Sequence, residues 1–125
     1  MRTNGNQKRY PRTARLNELI QQILADELER IDDDRLELVT VMRVEVDPDL
    51  RHATVFVDTP EGESRDEEVL EALEEDRVRL QAAVNRQARL KRTPLLGFRP
   101  DVVERSAARV EDTLRNLEHD DATEP

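Results

Sequence analysis

Between Arg12 and Ile31 the apolar residues Leu16, Leu19, Ile20, Ile23, Leu24, Leu28 and Ile31 return every third or fourth position, the spacing of one face of an amphipathic helix. The Asp32–Asp34 run is expected to end it. The period then changes. Leu38–Val46 (LVTVMRVEV) is rich in β-branched residues, and its apolar positions move from Val39 and Val41 to Met42, Val44 and Val46. Such a slip in phase predicts a strand with a bulge, or one buried on both faces. Asp47-Pro48-Asp49-Leu50 has turn composition, and in the strand that follows Ala53, Val55 and Val57 alternate with Thr54 and Phe56. So short a connection makes the pair an antiparallel hairpin.

After the loop Thr59–Glu63, Ser64 stands at capping-box spacing from Glu67, ahead of an acidic turn that suits a helix N-terminus. Val69, Leu73, Leu80, Val84 and Gln87 then hold one helical face to about Lys91. One helix of that length is long for a globular domain, and Asp76-Arg77 puts charge inside its apolar arc. Two helices, or one bent near Asp76–Val78, are therefore expected, with Glu75 and Arg79 spaced for an i,i+4 pair across the joint. Thr93-Pro94 closes the helix, because a residue before proline avoids helical geometry. Leu95–Phe98 (LLGF) reads as a third strand, joined to the hairpin through the crossover helix, and Ala107, Val110, Leu114 and Leu117 mark a last helix. The predicted order is α-β-β-α-α-β-α. Residues 1–11 are expected to form a flexible basic arm and residues 118–125 a disordered tail.

Composition narrows the class. The chain has 125 residues, 39% charged and 36% apolar, and its aromatics are Tyr10, Phe56 and Phe98. This predicts one domain, a thin two-layer α+β fold with a modest aliphatic core. With no cysteine, disulfides, thiolate zinc sites and thiol catalysis are excluded. No apolar run nears the roughly 18 residues of a membrane span, and the N-terminus shows no apolar targeting segment, so a soluble cytoplasmic protein is expected. Three consecutive carboxylates at Asp32–Asp34 cannot converge on one ion without further ligands, and His52 and His119 stand alone. Hence no metal, cofactor or catalytic residue is expected. An enzyme such as a nuclease is the weakest reading, lacking a His pair, a Gly-rich phosphate loop or a Ser-centred motif.

The net charge of −9 opposes indiscriminate nucleic-acid binding, but its distribution is uneven. Arg2, Lys8, Arg9, Arg12 and Arg15 fall in an acid-free N-terminal block, and Asp58–Asp76 is almost wholly acidic. Arg77–Arg99 is basic without one Asp or Glu. On a helix at about 100° per residue, Leu80, Ala83, Val84 and Gln87 face one way and Arg79, Ala82, Arg86 and Arg89 the other. The candidate site is therefore Arg12, Arg15, Arg77, Arg79, Arg86, Arg89, Lys91 and Arg92, which would meet the phosphates of structured RNA. Two other readings fit the same residues: an ordinary solvated helix face, and a non-enzymatic adaptor whose basic helix binds an acidic protein. Tyr10 is a lone aromatic that would stack on a base only if the arm orders.

The order of elements, with the residues at these positions, resembles the ribosome-binding factor A family. The matching stretches are Arg12–Leu16 with its apolar helix, the hairpin in Leu38–Val57, Leu90–Phe98 (LKRTPLLGF) and Ala107–Leu117 (AARVEDTLRNL). Together they span most of Arg12–Leu117. The resemblance implies a type II KH-like domain over residues 12–117, with helices on one face of a three-stranded mixed sheet. It further implies a monomer without enzymatic activity that binds the small ribosomal subunit and the 5′ region of its ribosomal RNA during late maturation. The Gly-x-x-Gly loop of other KH domains is absent, the glycines being Gly5, Gly62 and Gly97. The family's Ala-x-Gly kink falls on Asp76-Arg77-Val78, which departs from it at both the Ala and the Gly.

Overall fold

The structure is a computed structural model. It describes the backbone of residues 13–123 and the side chains of residues 13–117. The arm at residues 1–11 and the candidate Arg12 lie outside the described residues. The elements are α1 (Thr13–Glu29), β1 (Thr40–Val46), β2 (His52–Asp58), α2 (Asp66–Glu75), α3 (Arg77–Ala88), β3 (Leu95–Pro100) and α4 (Val102–Thr123), with short 3-10 turns at Asp34–Leu36 and Gly62–Arg65. The order is the expected α-β-β-α-α-β-α.

The sheet runs β1-β2-β3, antiparallel between β1 and β2 and parallel between β2 and β3. The slip in β1 is a bulge. Val41 pairs with Val57 and Arg43 with Phe56, leaving Met42 as the extra residue. That extra residue resets the alternation, so Val41, Val44 and Val46 all point to the covered face and Met42 reaches solvent. There they meet Ala53, Val55 and Val57 of β2 and Leu96 of β3. Helices α1, α2 and α3 cover this layer with Ile20, Ile23 and Leu24, with Val69 and Leu73, and with Leu80, Ala83 and Val84. The core is aliphatic. Phe98 packs at its margin, whereas Phe56 lies on the opposite sheet face with the Arg43 guanidinium 3.9 Å from its ring centre.

The break in the crossover falls at Asp76. Its backbone (φ −98°, ψ 10°) leaves the helical region, its N–H donates to the Ala72 carbonyl, and its own carbonyl accepts from the Leu80 N–H at 3.0 Å. One residue thus closes α2 and opens α3, without the family's Ala or Gly. At the other end Arg89 adopts the left-handed conformation (φ 53°, ψ 43°) and stops α3. The Gln81 side chain then fixes where β3 begins, donating to the Pro94 carbonyl at 2.6 Å and accepting from the Leu96 N–H at 3.1 Å.

Several local expectations change. Ser64 does not cap α2. It lies in the 3-10 turn, where its hydroxyl donates to the Glu61 carbonyl, and α2 starts at Asp66. Gln87 is exposed, because α3 ends one residue later and its apolar arc stops at Val84. Glu75 and Arg79 do not pair across the joint: the bend turns them apart, toward Arg35 and Glu27 respectively. The last helix runs on past Leu117 to Thr123.

The largest departure concerns α4, whose apolar positions do not join the core. Val110, Leu114 and Leu117 stay more than half exposed. Leu73→Ala, deep in the core, is accordingly expected to cost about 2–5 kcal/mol in urea unfolding, and Leu114→Ala no more than about 0.5 kcal/mol. Similar losses for the two would mean that α4 packs on the body.

Candidate nucleic-acid interface

Ion pairing divides the arginines into two groups. Arg79, expected on an open cationic face, donates through Nε to Glu27 Oε2 at 2.8 Å, and Nη2 lies 3.4 Å from the Arg30 carbonyl. The Glu27 side chain is only 8% exposed, so this pair joins α3 to α1 at the edge of the core. The Arg79 hydrogen bond, helped by the charges of Arg79 and Arg30, holds the Glu27 carboxyl below the usual carboxylate range against the opposing effect of burial. Arg77 grips Glu74 through two bonds of 3.0 and 2.6 Å, which depress the Glu74 carboxyl in the same way.

Three arginines that the sequence reading passed over do similar work. Arg35 lies between Asp33 (2.7 Å) and Glu75 (2.6 Å), and Arg65 reaches the Arg35 and Glu37 carbonyls as well as Glu68. Arg105, with its side chain 10% exposed, binds both Asp58 and Asp66 at 2.7 Å. These are paired guanidiniums, already neutralised.

The remaining candidates are different. Among the described residues, Arg15, Arg86, Arg89, Lys91 and Arg92 are exposed and take part in no ion pair. Arg86, Arg89, Lys91 and Arg92 follow one another through the last turn of α3 and its exit loop, and Arg15 projects from the start of α1. Arg51, Arg99 and Arg109 are also exposed and unpaired; they lie in the β1–β2 turn, on β3 and on α4 respectively.

Beside this cluster runs a shallow groove between α3 and the entry to β3, lined by Arg77, Val78, Gln81, Ala82, Asn85, Thr93 and Leu95. Val78, 81% exposed at the break, and Leu95 supply apolar surface. The Thr93 hydroxyl donates to Asn85 Oδ1 at 2.7 Å, so a hydroxyl and an amide stand ready on its wall. Phosphates can be met by the cations, and base or sugar edges by the groove. The sequence reading named the cations but missed Val78, Asn85, Thr93 and Leu95. Val78, apolar between two arginines and out of phase with the buried positions, was the available signal.

Helices on one face of a mixed three-stranded sheet, with a broken helix pair as the crossover, define a type II KH-like domain. The family profile described as Ribosome-binding factor A matches residues 12–114. The chain belongs to the ribosome-binding factor A family. It is 42% identical over 111 residues to the ribosome-binding factor A of Rubrobacter xylanophilus, covering 88% of this chain and 90% of that one. The crystal structure of ribosome-binding factor A from Thermus thermophilus matches with a TM-score of 0.64 at 34% identity, over 70% of this chain and 93% of that one. A homology model of the Thermus thermophilus ribosome binding factor A, fitted into an electron cryo-microscopy map of a 30S complex of that protein, matches with a TM-score of 0.59 at 35% identity, over 68% and 90% of the two chains. Among the described residues, no helix is long and apolar enough to cross a membrane.

The Glu27–Arg79 pair has a pH signature. A carboxyl depressed in the folded state adds stability above its unfolded pKa and loses it as the pH falls through the folded value. The urea midpoint is expected to drop as the pH falls below about 4.5, the ordinary glutamate value, and Glu27→Gln to flatten that drop in part, since Asp33, Glu74 and Glu75 are depressed too. Identical pH profiles for the two proteins would contradict the pairing.

Proposed function

We propose that this protein is a non-enzymatic, monomeric cytoplasmic assembly factor that binds the small ribosomal subunit during late maturation, touching the 5′ region of its ribosomal RNA. The observation that carries this reading is the run of unpaired, exposed cations, Arg86, Arg89, Lys91 and Arg92, next to the α3–β3 groove, on a helix whose first two arginines, Arg77 and Arg79, are already paired. The membership of the chain in the ribosome-binding factor A family, and the 30S complex of the Thermus thermophilus relative, supply the target.

Binding is electrostatic and shape-directed. Guanidiniums and the Lys91 ammonium displace counterions from phosphates, while the groove takes an exposed sugar or base. Arg15 would extend the footprint along α1, and Arg12 is proposed to add a further phosphate contact. Arg79 contributes by holding α3 against α1, and Arg77 by closing one end of the groove in its pair with Glu74. The acidic block Asp58–Asp76 repels stray duplexes, which confines binding to an RNA shape that fits the basic side.

Sedimentation with purified small subunits across a salt series tests this. Arg86→Gln, Arg89→Gly and Lys91→Gln are each expected to weaken binding and lower the slope of log K against log salt by about 1. Glycine is used at position 89 because the left-handed backbone there suits it. Arg79→Gln is expected to lower stability and leave the slope unchanged. Equal slopes throughout, or equal binding to both subunits, would overturn the assignment and favour the adaptor reading.

A further inference from the structure

Helix α4 carries apolar residues at Val103, Ala107, Val110, Leu114 and Leu117, spaced four, three, four and three. That is the a/d seam of a heptad repeat, a stripe suited to another helix and narrower than the face of a core helix. Val103 is 65% exposed, Val110 58%, and Leu114 and Leu117 55% each.

The orientation of the stripe is fixed. Asp101, itself buried, accepts from the Glu104 N–H at 3.3 Å and so caps the helix, and Arg105 locks the first turn to Asp58 and Asp66. At about 100° per residue Arg105 lies roughly 160° from the centre of the stripe. The same side of α4, with Ala108 and Asp112, faces the loop from Asp58 to Ser64. The helix is therefore held by its polar back, and its apolar seam points away from the body. A helix in water draws most of its stability from packing such a seam.

The flanks indicate what packs there. One side of the seam carries Glu104 and Glu111, the other Ser106 and Thr113. Arg115, on the back of the helix, approaches Glu111 only to 3.9 Å with both side chains largely exposed. In a parallel pair with a second copy, glutamates would face hydroxyls. In an antiparallel pair, glutamates would face glutamates, so nothing on the flanks attracts this chain to itself. An anionic lipid surface calls for basic flanks and is disfavoured for the same reason. We propose that α4 docks a basic amphipathic helix of a partner protein, whose apolar positions pack on Val103, Val110, Leu114 and Leu117 and whose lysines or arginines pair with Glu104 and Glu111. The proposal does not depend on RNA binding by α3.

Two synthetic helical peptides of about three heptads test it, both with leucine at a and d. One carries lysine at e and g, the other glutamate. Their binding to the full-length protein is read by fluorescence anisotropy, and each variant's urea midpoint confirms its fold. The lysine peptide is expected to bind about tenfold or more tighter than the glutamate peptide. Glu104→Lys with Glu111→Lys should reverse the preference. Val110→Asp with Leu114→Asp should abolish binding of both peptides, although it makes the chain more acidic. Overturning results are binding of neither peptide, equal binding of both, a preference that survives the flank reversal, or lysine-peptide binding that survives the seam variant. A seam-dependent homodimer in analytical ultracentrifugation would also overturn it.

Discussion

Arg35, Arg65, Arg79 and Arg105 join elements that a small aliphatic core cannot secure alone. Arg35 ties the turn after α1 to the end of α2, Arg65 holds the start of α2 to that turn, Arg79 links α3 to α1, and Arg105 joins α4 to the end of β2 and the start of α2. An isolated exposed ion pair contributes little. Arg35, Arg65 and Arg105 are partly buried, Arg79 holds a buried carboxylate, and all four reach two or more acceptors, so their geometry is more specific than that of a single surface pair. In a chain with more acids than bases, most of the inward-facing positive charge is used in this way.

The cations left over stand out against these pairings. A basic stretch is common and is usually a solvated helix face. What singles out Arg86, Arg89, Lys91 and Arg92 is that the same helix begins with Arg77 and Arg79 already paired, so the positive field of α3 concentrates toward its C-terminal end. The break at Asp76 matters here as well. It turns Glu75 toward Arg35 and Arg79 toward Glu27, and it leaves Val78 exposed at the head of the groove. Fold and candidate interface thus share one cause, the way carboxylates of α1 and α2 are distributed around α3.

The sequence disclosed what depends on neighbours along the chain. The slip from Val41 to Val44 signalled an irregular strand and charge at Asp76-Arg77 signalled the break, whereas the crossover helix, expected to run to about Lys91 and close at Thr93-Pro94, already stops at Arg89. It was mute on pairings between distant positions. Nothing local to Arg79 indicates Glu27, and nothing near Arg105 indicates Asp58 and Asp66, so clamps and free cations looked alike. Hence Arg79 entered the candidate site, while Arg35 and Arg105 drew no notice and Arg65 was only the one base in the acidic block Asp58–Asp76. Periodicity likewise identified α4 as a helix with an apolar side, yet could not tell whether that side finds the core. The clamp on its opposite face decides that, and it turns the side outward.

The central claim, that ion pairing divides the arginines into clamps and ligands, is open to one direct reading. In a nitrogen-15 arginine-labelled sample, the Nε–Hε signals of Arg35, Arg65, Arg79 and Arg105 should be slow to exchange in the free protein and stay in place on addition of a 5′-domain ribosomal RNA fragment. Those of Arg86, Arg89 and Arg92 should be fast to exchange, then shift and become protected. Shifts of equal size in both groups, or confined to the clamps, would contradict the account.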